Sequence, residues 1–253
     1  MNLGLAGKVA LVTGGANGIG AAIGEVLAGE ECTVFLADLD EAAARNQART
    51  LSAKGFHAHG IALDVSDPSA PAAAVASILG MSDSLDILIN SAGILKRGPL
   101  GASTAQDWED VSRVNVGGVL ACSLAALEPM RARGRGSILN LASISAMKGG
   151  GSLGNALYAA SKAAVIALTK GFAREYGPAG ITVNAIAPAV TQTPMTSASL
   201  ADPETLERVA RSIPLGRIAS PREIATLAAF LVSDAAGYIN GSVVVIDGGL
   251  LTV

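Results

Sequence analysis

The fold of this chain is decided by residues 8–20, which have the sequence KVALVTGGANGIG. The first half is short and apolar, which is typical of a buried strand, and residues 19–27 continue with apolar residues at helical spacing. Glycines between a strand and a helix allow a tight turn, and the first N–H groups of the helix can then hold an anion such as a pyrophosphate. The sequence therefore predicts a dinucleotide-binding turn that contains Gly14, Asn17, Gly18, Ile19 and Gly20.

A carboxylate follows the second predicted strand. Residues 32–37 are apolar and end at Asp38, eighteen residues after Gly20. In a dinucleotide-binding unit, a carboxylate at this distance hydrogen-bonds the adenosine ribose, and its charge opposes the 2′-phosphate of NADP. No Lys or Arg occurs in the glycine turn or directly after Asp38 to offset that charge. The sequence predicts NAD as the cofactor; the alternative is that Asp38 only ends a strand or caps the helix from Asp40.

Strand-like and helix-like segments alternate along the rest of the chain. Further strands are predicted at residues 56–63, 85–89, 137–142, 181–186 and 242–246, and helices at 41–54, from Asp67-Pro68, from Ser103-Thr104, at 156–173 and at 221–232. Such alternation favours one parallel sheet with helices on both faces. The predicted fold class is α/β, with residues 1–253 forming a single Rossmann-type, doubly wound domain of about seven strands.

Composition and charge exclude several classes of partner. Half of the 253 residues are apolar and 3% are aromatic, which suits a core of aliphatic side chains. A net charge of −3 and a pI of about 5.4 provide no basic surface for nucleic acid or anionic lipid. We find no signal peptide and no apolar run long enough to span a membrane, so a cytoplasmic location is expected.

Metal binding is not predicted. Cys32 and Cys122 lie far apart and outside any metal-ligand spacing, so both are expected to be buried structural thiols. His57 and His59 alternate on one face of a predicted strand and could form a metal pair, but a third ligand at a suitable spacing is missing.

Tyr158 and Lys162 form a candidate acid–base pair. They are four residues apart in the helix-like segment 156–173, so both should project from one face of that helix. An ammonium beside a phenol favours the phenolate, so the pKa of Tyr158 is expected to be lowered. A Tyr and a Lys at this spacing on an ordinary amphipathic helix is the alternative interpretation.

Polar residues also follow two of the predicted strands. Residues 90–93, Asn-Ser-Ala-Gly, follow one strand and Ser143 follows another, at the sheet edge where open α/β sheets bind ligands. Asn115 stands in the middle of a helix-like segment, where its amide competes for backbone hydrogen bonds. The alternatives are an ordinary turn for the first segment and a solvent-facing Asn for the last residue.

Residues 188–217 form a long connection rich in Thr, Ser and Pro, with a short helix that Asp202-Pro203 should cap. Connections of this length inside a compact domain are often lids or binding loops. We therefore predict a substrate lid here, and the hydroxyl-rich residues 191–199 favour a polar substrate.

These motifs together resemble the short-chain dehydrogenase/reductase family. The resemblance rests on Thr13-Gly14-xxx-Gly18-Ile19-Gly20, Asn90-x-Ala92-Gly93, Asn115, Ser143 and Tyr158-xxx-Lys162, and it extends to Asp247-Gly248-Gly249 near the end of the chain. Membership would imply hydride transfer between a nicotinamide and a carbonyl or secondary alcohol carbon. It would also imply a homotetramer.

The resemblance implies a role for each matching residue. Tyr158 would exchange the hydroxyl proton, Lys162 would hold the nicotinamide ribose, Ser143 would bond the substrate oxygen, and Asn115 would anchor a water that relays protons. The cofactor would also contact Asp64 and Val65 at its adenine end, Asn90, Ala92 and Gly93 along the sheet edge, and Val190 and Thr193 at its nicotinamide end.

The chain departs from the family pattern at four places. Ser91 replaces a second Asn, and Ala189 replaces the usual Gly after Pro188. Tyr158 follows Ser143 by more residues than is usual, which leaves Ser145 as a rival for binding the substrate oxygen. Asn17 occupies a position where NADP-preferring members often carry a basic residue, which again favours NAD.

The predicted function is NAD-dependent oxidation or reduction of a secondary alcohol or ketone, with a small polar substrate such as a polyol, sugar or hydroxy acid. A 3-oxoacyl-[acyl-carrier-protein] reductase-like enzyme is the first alternative. A non-catalytic scaffold that senses NAD(H) is an alternative of another class.

Overall fold

The computed structural model describes residues 2–151 and 153–252. Within these residues, seven parallel strands form one sheet in the order β3-β2-β1-β4-β5-β6-β7. The strands are β1 (Val9–Thr13), β2 (Thr33–Asp38), β3 (Ala58–Ala62), β4 (Ile87–Asn90), β5 (Gly136–Leu141), β6 (Ile181–Pro188) and β7 (Val243–Ile246). The predicted α/β, doubly wound sheet is confirmed. The strand order reverses between β1 and β4, which is where such sheets bind nucleotides.

The helices follow the strands as the alternation predicts. They are α1 (Gly18–Gly29), α2 (Glu41–Ser52), α3 (Ala70–Met81), α4 (Ala105–Ser112), α5 (Gly118–Arg133), α6 (Ser145–Lys148), α7 (Ala156–Tyr176), α8 (Pro194–Leu200), α9 (Pro203–Arg211) and α10 (Pro221–Leu231). Thr104, Asp202 and Ser220 begin α4, α9 and α10, as the sequence predicts.

Two apolar layers cover the sheet. On one face, Ile23 of α1 and Ile224 of α10 are buried in one cluster with Val12 and Leu36 of the sheet. On the other face, α3, α5 and α7 contribute Ile78, Met130, Phe172 and Cys122 to a second cluster. Strands covered on both faces need continuous apolar runs, which explains why β1, β4 and β5 contain so few polar residues.

The glycine turn depends on two close contacts. Gly14 has a φ of 64°, and a methyl group built on Gly20 would lie 2.1 Å from the carbonyl oxygen of Gly14. Only a residue without a side chain allows α1 to start this close to the end of β1. The turn therefore places the N-terminus of α1 directly at the carboxyl edge of the sheet.

One helix start differs from the sequence prediction, and two short helices were not predicted. The third helix begins at Ala70 after Ser69, and the Asp67 carboxylate instead accepts a hydrogen bond from Ser69 N at 2.8 Å in a turn before the helix. The glycine-rich segment before α7 contains the short helix α6. Residues 188–217 contain α8 as well as the predicted α9. Short capped turns lack the long apolar periodicity on which sequence prediction depends.

The long helical segment is interrupted at Asn115. Residues Arg113–Gly117 form a π-helical turn between α4 and α5. Asn115 is fully buried in this turn, so the solvent-facing alternative is wrong. π-turns occur frequently at functional sites because they redirect a side chain and its backbone groups.

Three other sequence expectations concern the cysteines, a histidine and the membrane. Cys32 and Cys122 are free and buried, and burial raises the pKa of each thiol to about 12. The His59 ring stacks on Phe35 with centroids 4.8 Å apart. The stretch Ala105–Arg133 is long and apolar enough to span a membrane by length and composition, contrary to the sequence analysis, but it packs against the sheet and α7.

Candidate active site

A cleft of about 420 Å³ lies along the carboxyl ends of the strands. It is bordered by most of the predicted site residues, namely Gly14, Asn17, Gly18, Ile19, Gly20, Asp38, Asp64, Val65, Ala92, Gly93, Ser143, Tyr158, Lys162, Val190 and Thr193. These residues come from distant parts of the chain, and the sheet edge brings them together. Asn90 and Asn115 are absent from this border.

The Asn90 side chain points into the helical layer that α5 and α7 form on one face of the sheet. Its Nδ2 donates to Ser123 Oγ at 3.1 Å and to Asn140 Oδ1 at 2.8 Å, and the side chain is buried. Asn140 Nδ2 in turn donates to Thr169 Oγ1 at 2.9 Å. The Asn90 side chain therefore connects β4 to β5, α5 and α7, and the structure does not bring it to the cleft.

Asn115 does not border the cleft, but its hydrogen bonds hold a segment that does. Its Nδ2 donates to Ile94 O at 3.0 Å and to Ser161 Oγ at 3.0 Å, while Ile94 N donates to its Oδ1 at 2.8 Å. The side chain thus fixes the segment that follows β4. The relay water that the family resemblance implies for Asn115 stays a prediction.

Ser143 is better placed than Ser145 to bond a substrate oxygen. Ser145 N donates to Ser143 Oγ at 3.1 Å, which occupies an acceptor site and leaves the Ser143 hydroxyl proton free to donate. The Ser143 hydroxyl is close enough to the Tyr158 phenol to lower the pKa of that phenol, against the larger effect of burial. Both serines border the cleft, and the position of Ser143 beside Tyr158 favours Ser143 as the group that bonds the substrate oxygen.

Tyr158 and Lys162 lie on the same face of α7, as the spacing predicts. Lys162 Nζ is 5.8 Å from the centroid of the Tyr158 ring and donates to Leu141 O at 2.7 Å. Burial raises the pKa of Tyr158 to about 12, although the nearby Ser143 hydroxyl opposes this shift, and burial lowers the pKa of Lys162 to about 8. The pKa of Tyr158 is thus raised where the sequence predicts a decrease, because desolvation disfavours the charged forms of both groups.

Comparison with known proteins agrees with this arrangement. The family model described as Enoyl-(Acyl carrier protein) reductase matches residues 14–251. Cyclopentanol dehydrogenase of Comamonas sp. is 39% identical over 242 residues, which is 96% of each chain. The 3-oxoacyl-[acyl-carrier-protein] reductase FabG of Vibrio cholerae is 38% identical and covers 98% of this chain and 99% of its own. The chain belongs to the short-chain dehydrogenase/reductase family.

Solved structures of similar proteins include other dehydrogenases. A gluconate 5-dehydrogenase from Burkholderia cenocepacia, in complex with NADP and tartrate, has a TM-score of 0.93 and 33% identity, and the match covers 100% of this chain and 99% of that chain. This short-chain dehydrogenase/reductase is therefore an oxidoreductase that depends on a nucleotide cofactor.

The cleft fits a dinucleotide at its adenine end. Asp38 Oδ2 accepts from Ala16 N at 3.1 Å, and Oδ1 accepts from Asp40 N at 3.2 Å. Each carboxylate oxygen keeps an acceptor site for a ribose hydroxyl, since a carboxylate has about four lone-pair sites. Asp40 caps α2 through Ala43 N at 3.0 Å, so the two carboxylates have separate roles.

The sequence did not predict the contacts of Thr13, which belongs to the glycine motif, or two apolar residues of the cleft. Thr13 Oγ1 accepts from Ser91 N at 3.1 Å and from Ala92 N at 3.2 Å, which ties the end of β1 to the segment after β4. A polar residue at the end of an apolar strand was the available signal. Leu95 and Met195 border the cleft without any such signal, because apolar residues are common everywhere in the chain.

Proposed function

We propose that this short-chain dehydrogenase/reductase transfers a hydride between NAD(H) and a secondary alcohol or ketone. The observation that carries the proposal is the convergence of Ser143, Tyr158 and Lys162 at one end of a cleft whose other end carries the glycine turn and Asp38. A proton donor, a group that bonds the oxygen and an oriented cofactor together provide proximity and acid–base catalysis.

The roles of the side chains follow from their contacts. When bound, the nicotinamide supplies or accepts the hydride. Tyr158 Oη donates a proton to the substrate oxygen during reduction and takes one during oxidation. Ser143 Oγ donates a hydrogen bond to the same oxygen, and the Lys162 ammonium, held by Leu141 O, binds a ribose hydroxyl and stabilises negative charge on Tyr158.

The charge at the adenine end supports NAD over NADP. Asp38 and Asp64 are the acidic residues that border this end of the cleft. A 2′-phosphate placed beside Asp38 would meet a like charge. Similar structures contain NADP, including a putative gluconate 5-dehydrogenase from Beutenbergia cavernae with 34% identity, so the preference has to be measured.

The lid is also part of the proposal. The Arg97 side chain donates to Met195 O, so it joins the segment after β4 to α8. A methyl group built on Gly18 would lie 3.4 Å from Thr193 Cβ, which brings the lid against the glycine turn. Residues 188–217 would thereby cover both cofactor and substrate and exclude water from the reaction.

A second candidate is a 3-oxoacyl-[acyl-carrier-protein] reductase-like activity. The similarity to FabG proteins favours it, because the match covers nearly the full length of both chains. A preference for NADPH and for 3-oxoacyl thioesters would move this candidate ahead of the first. A non-catalytic scaffold that senses NAD(H) is disfavoured by the complete set of Asn115, Ser143, Tyr158 and Lys162.

The proposal also covers the assembly and the location of the protein. A homotetramer is favoured by the exposed apolar residues Leu120 and Leu124 on α5, which are 40% and 50% exposed. A cytoplasmic location is proposed, as the sequence predicts. The proposed partners are small-molecule substrates.

The test is NADH formation followed by absorbance, with NAD and a panel of secondary alcohols, and NADH oxidation with the matching ketones. A substrate should be turned over by the wild type and lost in Tyr158→Phe, which should fall by about 10² to 10⁴ in kcat. Cofactor binding, measured by NADH fluorescence, should persist in the variant. Turnover that is unaffected in Tyr158→Phe would refute the assignment.

A further inference from the structure

The lid hydroxyls that border the cleft bond to the lid itself. Thr196 Oγ1 donates to Thr191 O at 2.7 Å, and Thr191 Oγ1 donates to Ala189 O at 3.2 Å. Thr193 Oγ1 lies 3.2 Å from Thr196 Oγ1. Because each hydroxyl proton already has an acceptor within the lid, these hydroxyls can accept from a substrate but have no proton left to donate to it. The support that residues 191–199 give to a polar substrate is therefore reduced.

The wall beside the catalytic phenol is apolar. A methyl group built on Gly154 would lie 2.8 Å from Leu95 Cδ1 and 2.9 Å from Tyr158 Cδ1, so Leu95 and the Tyr158 ring meet over Gly154. Ile144 and Leu153 border the same end of the cleft. Met195 borders the cleft from the lid and adds a flexible apolar thioether to this wall.

Among the described residues, most polar groups near the reacting atoms already have partners. Ser143 and Tyr158 are committed to one substrate oxygen. Lys162 donates to Leu141 O, and Thr191, Thr193 and Thr196 bond within the lid, which leaves Ser145 and Lys148, on α6, as the further polar side chains that border the cleft here. A polyol or sugar brings several hydroxyls, and each one buried without a partner opposes binding. A substrate with one oxygen needs only the pair that the catalytic residues supply.

We infer that the substrate is an apolar secondary alcohol or ketone, alicyclic or short aliphatic, whose reacting oxygen is its one polar group. The inference rests on the proposed hydride transfer. The carbon skeleton packs against Leu95, Leu153 and Met195, while the oxygen faces Ser143 and Tyr158. The value of kcat/KM should then rise with the apolar area of the substrate that becomes buried.

The first experiment measures kcat/KM with saturating NAD and, separately, with NADP, so that the result does not depend on cofactor preference. The alcohols are propan-2-ol, butan-2-ol, cyclopentanol and cyclohexanol, compared with xylitol, gluconate and 3-hydroxybutyrate. The value should rise roughly tenfold for each methylene that the pocket accommodates. It should be at least about a hundredfold lower for the polyol and the two hydroxy acids.

The second experiment places a polar group in the wall. Leu95→Thr should lower kcat/KM for cyclopentanol at least about tenfold and change that for propan-2-ol much less, since the smaller alcohol buries less of the wall. Leu79→Thr, on α3 and outside the border of the cleft, is the matched control and should change neither value. Met195→Thr, at an exposed lid position, replaces Leu95→Thr if that variant does not fold.

The outcomes separate the two proposals. A highest kcat/KM on a polyol, sugar or hydroxy acid overturns the inference and leaves the hydride transfer intact, with Ser145 and Lys148 as the groups that bind the additional oxygens. Failure of every compound in both directions, by a protein that binds NADH, overturns both proposals. A Leu95→Thr effect equal for cyclopentanol and propan-2-ol also contradicts the inference.

Discussion

The side chain of Asn115 bonds both backbone groups of Ile94, donating from Nδ2 to Ile94 O at 3.0 Å and accepting at Oδ1 from Ile94 N at 2.8 Å. This pairing holds the segment after β4 against the π-helical turn. Gly93 lies under the same contact, since a methyl group built on it would be 3.2 Å from Asn115 Oδ1 and 3.6 Å from Lys162 Nζ. One buried amide therefore connects the sheet edge with the environment of Lys162.

Asn115→Ala should lower the free energy of unfolding by about 1 to 3 kcal/mol, because it removes the hydrogen bonds of a buried amide to both backbone groups of Ile94 and to the buried Ser161 hydroxyl. It should also weaken NADH binding, since the segment that follows β4 is released. Urea denaturation and NADH fluorescence measure the two effects. Asn46→Ala, at an exposed position of α2, is the control and should change neither. Unchanged unfolding and binding in Asn115→Ala would contradict the positioning role.

Asp38→Asn should lower the preference for NAD over NADP by at least roughly tenfold, because it removes a like charge from the position of the 2′-phosphate. The amide oxygen can still accept from Ala16 N, so the glycine turn should stay in place. The ratio of kcat/KM values for the two cofactors measures the effect. Asp40→Asn removes a neighbouring charge that caps α2 and should change the ratio much less. An equal change of the ratio in the two variants would contradict the proposal that Asp38 lies beside the adenosine ribose.

Stability should depend on pH through Lys162. Burial lowers the pKa of this lysine to about 8 in the folded chain, whereas an unfolded lysine titrates near about 10.4. Between these values the unfolded state binds more protons, so stability should rise with pH across this window, by on the order of 2 to 3 kcal/mol. Lys162→Met should lack that rise when its unfolding is compared with the wild type at pH 7.5 and pH 10. If the free energy of unfolding changed equally with pH in Lys162→Met and in the wild type, the lysine would not be desolvated.

The titration of Tyr158 should lower the stability of the fold as pH rises, which is opposite to the effect of Lys162 and occurs at higher pH. Burial raises its pKa to about 12, so the folded state holds the phenol proton after an unfolded tyrosine has lost it near about pH 10. This contribution is present below pH 10 and is lost as pH rises through 12, which places it outside the window that tests Lys162.

Gly20→Ala should abolish cofactor binding and destabilise the fold, because the added methyl group would lie 2.1 Å from Gly14 O. Gly29→Ala, at the end of the same helix, meets nothing within 4 Å and should leave stability unchanged or raise it by up to about 1 kcal/mol. Thermal unfolding and NADH fluorescence compare the two variants. A stable Gly20→Ala variant that still binds NADH would contradict the requirement for a residue without a side chain at this position.

Leu124→Glu should dissociate the proposed homotetramer, because it places a charge on the exposed apolar face of α5. Leu79→Glu, at a 38% exposed position of α3, is the matched control and should keep the assembly of the wild type. Light scattering coupled to gel filtration measures the mass of each variant. A wild type that is monomeric would contradict the proposal directly.

Local patterns predicted most of the elements and the order in which they follow one another. Capping residues such as Thr104 and Ser220, and the glycine turn after β1, are read from a few neighbouring residues. The boundary at Asp67 was missed because an Asx-turn and a helix N-cap use the same residue type. The π-helical turn was missed because its apolar periodicity continues that of α4 and α5.

The amino-acid sequence by itself determined the α/β fold, the glycine turn, the Tyr158 and Lys162 pair and the family, since each depends on residue types at short spacings. Only the tertiary structure decided which polar groups face the cleft. It turned Asn90 into the layer beneath the sheet, paired Asn115 with Ile94, and bonded the lid hydroxyls to the lid. It also decided the pKa of Tyr158, because desolvation depends on every atom packed around a group and no short spacing encodes it.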